Sequence, residues 1–512
     1  MIGAECLLRT LLANEVDLCL MNPGTSEMQF VAALDRVPEM RGVLCLFEGV
    51  CSGAADGYAR MAGKPAATLL HLGPGLANAL SNLHNARKAL SPVINIVGEH
   101  SSTHLKHDAP LTADIEAFAL PVSGWVRTVA SAAQIGEDAT AAVAAALGPP
   151  GKVATLIVPA DFSWSEAGEP GGSAPRPTPP MPGNEQLRAA ESALRSGQKV
   201  GVLLGGRALR ARGLRAAARI GARVFAHRYA ARTTRGAGIP AVERIPYFPE
   251  TAQALLAGFE RLVLVEARPP VSFFGYPGLR SILAPEGCIF DVLASESEDG
   301  AGALEWLADE LGAPPVETTG SSRPDLPNGE PLTAATVGRA VGALLPEGAV
   351  ISDESVSSSE AIWPHLAGAA MHDHLPVTGG SIGQGLPVAV GAALACPFRK
   401  VVALEADGSA MYTLQSLWTM ARERLDVTVV ILANRRYRIL DIEMRRTGGG
   451  AVGPRAEEMI DLTDPAPDWV KLARGFGVEA VRATTANEFI RDFGAAMQER
   501  GPRLIEAVFD RT

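Results

Sequence analysis

The run Val401-Val402-Ala403-Leu404-Glu405 leads into Ala406-Asp407-Gly408-Ser409, and a second run, Val427-Thr428-Val429-Val430-Ile431-Leu432, leads into Ala433-Asn434-Arg435-Arg436. Both runs are largely apolar without alternation, both end at a turn, and a helix-period segment lies between them. A strand that is apolar on both faces must be covered on both, as in a parallel sheet flanked by helices. The same unit recurs along the chain. Short runs at Asp17–Met21, Val43–Phe47, Thr68–His71 and Val93–Val97 fall in one block. Val200–Leu204, Ala222–Ala226 and Leu262–Val265 fall in a second, and Ala349–Ser352 and Leu504–Val508 join the opening pair in a third. Two stretches too rich in proline and glycine for helix or interior strand separate the blocks. The pattern predicts an α/β chain of three consecutive doubly wound parallel-sheet domains, at 1–165, 185–312 and 333–512, with linkers at 166–184 and 313–332. A length of 512 residues agrees with three domains at about 150 residues each.

Lys and Arg number 46 against 56 Asp and Glu, a net charge of −10, with no basic excess to hold a nucleic acid or an anionic membrane. Glu5, Arg9 and Glu15 interrupt any signal-peptide core, and Pro397, Arg399 and Lys400 cut the apolar stretch after Leu386 well short of a membrane span. Cys6, Cys19, Cys45, Cys51, Cys288 and Cys396 form no C-x-x-C pair and read as reduced core residues of a cytoplasmic protein. A small-molecule enzyme is the class that remains.

In doubly wound sheets, ligands sit beyond the carboxyl ends of strands. Asp407 and Asn434 each stand just past such an end, which places a carboxylate and an amide oxygen side by side, the hard donors Mg²⁺ prefers. Gly408 permits close approach of backbone to a phosphate, and Ser409 opens a helix whose amides favour an anion. Asp-Gly-Ser alone is also a common strand-to-helix turn.

Together these residues resemble the motif of the thiamine-diphosphate-dependent 2-oxo acid decarboxylase and acetolactate synthase family, Gly-Asp-Gly-Ser followed by Asn-Asn. Ala406 stands for its first glycine and Ala433 for its first asparagine. The resemblance implies Mg²⁺ on Asp407, Asn434 and the carbonyl of Arg436, with Gly408, Ser409 and Tyr437 beside the cofactor; an arginine at 436 is long enough for its side chain to reach the substrate mouth as well. In the first block, Glu48 follows a strand and precedes Ala54-Ala55-Asp56-Gly57-Tyr58-Ala59-Arg60. This is similar to the family signature whose glutamate shares a proton with the cofactor pyrimidine, and burial favours the neutral acid. Asn22-Pro23-Gly24-Thr25-Ser26-Glu27 and His71-Leu72-Gly73-Pro74-Gly75-Leu76-Ala77-Asn78 resemble loops of benzoylformate decarboxylase, which makes Thr25 and His71 catalytic candidates and Asn78 a cofactor contact. Ser355, Ser357 and Ser358 are expected at the diphosphate, and Ile382 and Gly383 at the apolar wedge under the bent cofactor. Phe274 lies where benzoylformate decarboxylase carries a second histidine and cannot move protons.

The activity implied is decarboxylation of a small 2-oxo acid through a C2 ylid and an enamine, with release of an aldehyde or ligation of a second carbonyl compound. An acetolactate synthase-type carboligase is the alternative, and a catalytically silent cofactor-binding protein of the same fold is the alternative of another class. FAD occupies the middle domain of some relatives. Leu203-Leu204-Gly205-Gly206-Arg207-Ala208 lacks G-x-G-x-x-G, so an empty structural domain is expected, with FAD kept as the other option. In the family the acid of one subunit meets the metal motif of another, which implies a homodimer at least and leads to the expectation of a homotetramer. His100, His104 and His107, and His372 with His374, have no cysteine or acidic pair to complete a zinc site.

Overall fold

The computed structural model describes residues 1–316, 322–450 and 452–509. Among these residues the first sheet holds β1 (Leu18–Met21), β2 (Arg41–Leu44), β3 (Ala66–Leu70), β4 (Val93–Glu99), β5 (Trp125–Thr128) and β6 (Val153–Pro159), all parallel, in the order β2-β1-β3-β4-β6-β5. The middle sheet holds β7 (Val200–Leu204), β8 (Arg223–Ala226), β10 (Glu243–Arg244), β11 (Arg261–Val265) and β12 (Ile289–Ala294), in the order β10-β8-β7-β11-β12. The third sheet is built from β13 (Val350–Glu354), β14 (His372–Pro376), β15 (Val401–Ala406), β16 (Val427–Ala433), β17 (Glu479–Ala483) and β18 (Arg503–Val508). To these it adds β9 (Thr233–Arg235) from the middle block, giving β17-β18-β16-β15-β13-β14-β9. The three doubly wound sheets expected from the sequence are present.

Local differences have local causes. The run Val43–Phe47 does not continue as strand. β2 ends at Leu44, Cys45 N–H still donates to the Met21 carbonyl, and the chain then swings into the helix Glu48–Ala62. His71 is not the end of a strand but the residue before the helix Leu72–Ala89. The short helix after β15 opens at Asp407, two residues before Ser409. β9 is antiparallel to β14, because the middle block sends one strand to cap the edge of the third sheet. Residues 167–183 form no helix or strand, as the proline content dictates; within the second linker, residues 317–321 lie outside the described residues.

The first and third domains meet through glycines. A side chain on Gly57 would lie 2.2 Å from the Val388 carbonyl, one on Gly391 1.9 Å from that of Ala54, and one on Gly53 2.7 Å from Pro387. The helix Gly385–Ala395 is therefore backbone-close to Glu48–Ala62, and its apolar surface is buried on every side. Arg60 completes the junction. It donates to Asp56 through Nε (2.8 Å) and Nη2 (2.5 Å), to Thr378 Oγ1 (3.0 Å), to the Pro376 carbonyl (3.0 Å) and to the Ala231 carbonyl (3.4 Å). One buried guanidinium thus uses its full fork of donors on all three domains, while Ser91 supplies a further hydrogen bond to Asp56.

Replacing Arg60 by Met should cost about 3–5 kcal/mol, because Asp56 would remain buried without its cation. Arg60→Lys should recover less than half of that, since an ammonium cannot reproduce the fork. Urea unfolding followed by circular dichroism measures both.

Candidate active site

The sheet orders locate the crevices. In the first sheet the direction of winding reverses between β1 and β3, and the loops after these strands carry Thr25–Glu27 and His71. Glu27, 2 % exposed in its side chain, accepts from His71 Nδ1 at 2.8 Å, from Gly24 N–H at 2.8 Å and from Ser26 Oγ at 2.8 Å. A carboxylate at Nδ1 fixes the tautomer whose lone pair is on Nε2. His71, Thr25, Ser26, His100 and His104 line a cavity of about 260 Å³. Gly24 is required beside this ring, since a side chain there would lie 2.2 Å from Nδ1. Glu27 was not singled out by sequence reasoning. Its position directly after Thr25-Ser26 is the signal that was available.

Glu48 opens its helix, is buried, and accepts from Asn78 Nδ2 at 3.0 Å. Past Asn78 the helix Leu72–Ala89 turns three polar residues toward the third domain. Asn82 donates to the Gly383 carbonyl (3.1 Å), Asn85 donates to the Ser381 carbonyl (2.8 Å), and His84 Nε2 lies 3.0 Å from the Gly379 carbonyl. Glu354, at the end of β13, takes the N–H groups of Gly383 (2.6 Å) and Gly385 (2.5 Å). The loop that carries Ile382 is thus pinned from both sides. Burial pushes the Glu354 carboxyl up to about 7, against the pull of those backbone donors. Glu405, its register partner on β15, has both oxygens buried without a hydrogen bond to the described residues.

In the third sheet the reversal falls between β13 and β15. Asp407 is 3 % exposed, with Oδ1 on Gly408 N–H (2.9 Å) and Oδ2 on Arg435 N–H (2.6 Å). Burial raises its carboxyl to about 6. Asn434 Oδ1 accepts from Arg436 N–H at 3.1 Å, and Arg435 turns the chain with a φ of 55°. A buried carboxylate that no cationic side chain pairs with among the described residues, beside an amide oxygen, is a donor set that fits a hard cation. The Arg436 guanidinium is bound by Glu457 and lies 3.9 Å from Asp441. The space beside Gly408 is filled by the Tyr437 ring, 2.4 Å from where a side chain would begin. Ser355 is also redirected, since its hydroxyl is spent on Asp353 at 2.5 Å and its side chain is buried. Ser358 is buried, Ser409 is 4 % exposed, and Ser357 instead lines a second cavity.

That cavity, about 370 Å³, lies between the middle and third domains. Ile382, Val356 and Ser357 form one part of its wall, and Tyr229, Tyr247, Phe248, Phe273 and Phe274 form an aromatic part. Phe273 and Phe274 stack edge to face at 4.8 Å.

The middle sheet reverses between β7 and β11, where a dinucleotide would place its phosphates. Glu266 occupies that point. Its carboxylate accepts from Arg207 N–H (2.6 Å) in the Gly205-Gly206 turn and from Gly300 N–H (3.1 Å) at the start of the helix Gly300–Glu310. Of the two histidine groups, His374 is held by Asp353 at 3.1 Å, and the rings of His100, His104 and His107 pack on one another at 5.4 and 5.6 Å.

Residues 1–118 match the family described as thiamine pyrophosphate enzyme, N-terminal TPP binding domain, and residues 362–507 match its C-terminal TPP binding domain. A Mycobacterium tuberculosis protein provisionally named acetolactate synthase large subunit IlvX is 52% identical over 512 residues, covering 99% of this chain and 98% of that one. Benzoylformate decarboxylase of Pseudomonas aeruginosa is 29% identical over 529 residues, covering 95% and 94%. The solved structure of a thiamine diphosphate-dependent 4-hydroxybenzoylformate decarboxylase from Rhodococcus jostii superposes with a TM-score of 0.85 at 25% identity, each chain covered in full. The chain belongs to the thiamine pyrophosphate-dependent enzymes, in the family that includes acetolactate synthases and 2-oxo acid decarboxylases. Among the described residues no helix is long and apolar enough to cross a membrane.

Glu27→Ala should destabilise the fold by about 1–3 kcal/mol, because the half-buried Gly24 N–H and His71 Nδ1 lose a charged acceptor. Glu27→Gln, which keeps a carbonyl oxygen, should lose less. Denaturant midpoints of the two variants test this.

Proposed function

We propose that this chain decarboxylates a 2-oxo acid with a bulky, mostly apolar side chain, using thiamine diphosphate and Mg²⁺, and that it does so as a homodimer or larger assembly. The observation that carries this reading is the division of the chemistry into two half-sites. A proton-handling half (Glu48, Asn78, Thr25 and the Glu27–His71 pair) stands in the first domain. An oxygen-donor half (Asp407 and Asn434) stands in the third, whose Ile382 also lines the aromatic cavity shared with the middle domain. Glu48 and Asp407 stand on different domains, each with partners from its own, a division that a second protomer would complete.

Asp407, Asn434 and the Arg436 carbonyl are the residues that would hold Mg²⁺, and through it a diphosphate, with Gly408, Ser409 and Tyr437 around it. When bound, the cofactor supplies the electron sink for cleavage of the bond next to the ketone. The rest is the work of side chains. Asn78 orients the Glu48 carboxyl, which holds a proton for the cofactor pyrimidine. His71, with Nδ1 tied to Glu27, exchanges a proton with the substrate through Nε2, and the Thr25 hydroxyl steadies the substrate beside it. Ile382 and Gly383 support the cofactor from a loop that Glu354, Asn82 and Asn85 keep from shifting. The aromatic wall excludes water and accepts a side chain much larger than a methyl group.

Carboligation is the second reading, favoured by the 52% identity to a protein named as an acetolactate synthase large subunit. Phe274 supports it too, since an apolar residue there offers no proton to compete with a second carbonyl compound. Incubation with pyruvate and benzoylformate, scoring CO₂, aldehyde and acyloin, decides between the two, and absence of CO₂ from every 2-oxo acid tried would overturn both. Glu48→Gln should keep cofactor binding and lose about 100-fold or more in turnover. Asp407→Ala should lose Mg²⁺-dependent cofactor binding, read by fluorescence titration; full activity in Glu48→Gln would contradict the mechanism.

We also propose that the middle domain carries no flavin, because the Glu266 carboxylate already takes the backbone donors that a phosphate would need. The purified enzyme should show no flavin absorbance, and added FAD should give no saturable binding by calorimetry.

A further inference from the structure

Two guanidinium groups open on the aromatic cavity. Arg228 and Arg244 both line it, with side chains 12% and 5% exposed. The Arg228 guanidinium lies 5.7 Å from the centre of the Tyr247 ring, and that of Arg244 lies 4.0 Å from the Trp363 ring, whose surroundings also include Arg235 at 3.4 Å. Such a cluster needs anions. Glu360 is the carboxylate that meets both cavity arginines, in an ion pair with Arg228 and at 3.5 Å from Arg244. Its side chain is 51% exposed, so it can swing into water at small cost.

The other carboxylates on the cavity wall are committed elsewhere. Asp353 holds His374, Ser355 and Ser359; Glu354 holds the Gly383–Gly385 backbone; Glu443 accepts from Tyr276. Asp353 keeps its charge and acts on Arg244 and Arg235, but among the described residues Glu360 is the carboxylate of the cavity wall that pairs directly with Arg228 and Arg244. Burial first, and repulsion from Arg228 second, hold Arg244 down to about 10, while Arg235 is held down to about 9, its buried Nη1 having no hydrogen-bond partner among the described residues.

We infer that Arg228 and Arg244 receive a carboxylate that survives the reaction: a second carboxylate at the far end of the substrate side chain, or the carboxylate of an acceptor 2-oxo acid in a ligation. The carboxylate that departs as CO₂ is not the fitting ligand. It loses its charge on the way to the transition state, so arginines gripping it would stabilise the ground state and slow the step. A distal or acceptor carboxylate keeps its charge throughout, and its binding displaces Glu360 toward solvent. This inference rests on the 2-oxo acid reading above and deepens it.

The test pairs substrates that differ only in the distal group: benzoylformate with 4-carboxybenzoylformate, and 2-oxohexanoate with 2-oxoadipate. The holoenzyme should prefer the carboxylated member by about tenfold or more in kcat/KM. Arg228→Gln and Arg244→Gln should each reduce that ratio at least severalfold, and Glu360→Gln, which removes the competing anion, should raise it. Cofactor titration and melting temperature check that each variant is folded, and Glu360→Gln keeps the test alive if an arginine variant is not. In the ligation assay, an acceptor KM that rises in Arg244→Gln for 2-oxo acid acceptors but not for aldehyde acceptors assigns the site to the acceptor. The inference is overturned if neither the donor pairs nor the acceptors discriminate, or if all variants change charged and neutral compounds equally. Failure of the 2-oxo acid reading itself looks different, as no CO₂ from any compound.

Discussion

The buried fork of Arg60 is the point on which the three domains are registered. Its partners come from Asp56 in the first domain, Ala231 in the middle one and Pro376 and Thr378 in the third, and each is reached at a fixed angle because the guanidinium is planar. An ion pair sealed from water adds little net stability but allows few geometries. Close passage of the helices Glu48–Ala62 and Gly385–Ala395 through Gly53, Gly57 and Gly391 depends on the same registration, since a shift of a fraction of an ångström would bring backbone into backbone.

From that registration follows the placement of the chemistry. The helix that begins at Glu48 and the helix that carries Asn78, Asn82 and Asn85 stand on the same side of the first domain, so one pair of elements positions the acid and pins the Ile382 loop. Glu354 holds that loop from beneath. A loop held from both sides yields little, and geometry set for catalysis is lost by a displacement of about an ångström. The first and third domains place their polar clusters at the reversal points of their sheets. The middle domain has the same reversal, but closes it with its own carboxylate, Glu266.

The continuous apolar runs made the fold legible, because a strand buried on both faces has few alternatives. β7 begins and ends where its run does, and β15, β16 and β18 differ by a residue or so. The antiparallel strand β9 was not legible, since Thr233–Arg235 is too short to carry a pattern and forms only because β14 presents an edge. Motif spacing marked Glu48, Asp407 and Asn434, because each stands beside a strand end inside a short run of recognisable residues. Glu27, Asn82, Glu354 and Glu266 went unmarked because their partners lie on other strands and helices.

What the sequence alone determined is the order of three doubly wound units and the chemical type of the residues at their strand ends, for these follow from short-range pattern and turn chemistry. Only the tertiary structure decided what those residues face. It turned Ser355 inward to Asp353, drew the Arg436 guanidinium to Glu457, filled the space beside Gly408 with Tyr437, and gathered Arg228, Arg244 and five aromatic rings around one cavity. Side-chain direction at a sheet edge is set by what packs across it, and that information is spread over segments hundreds of residues apart.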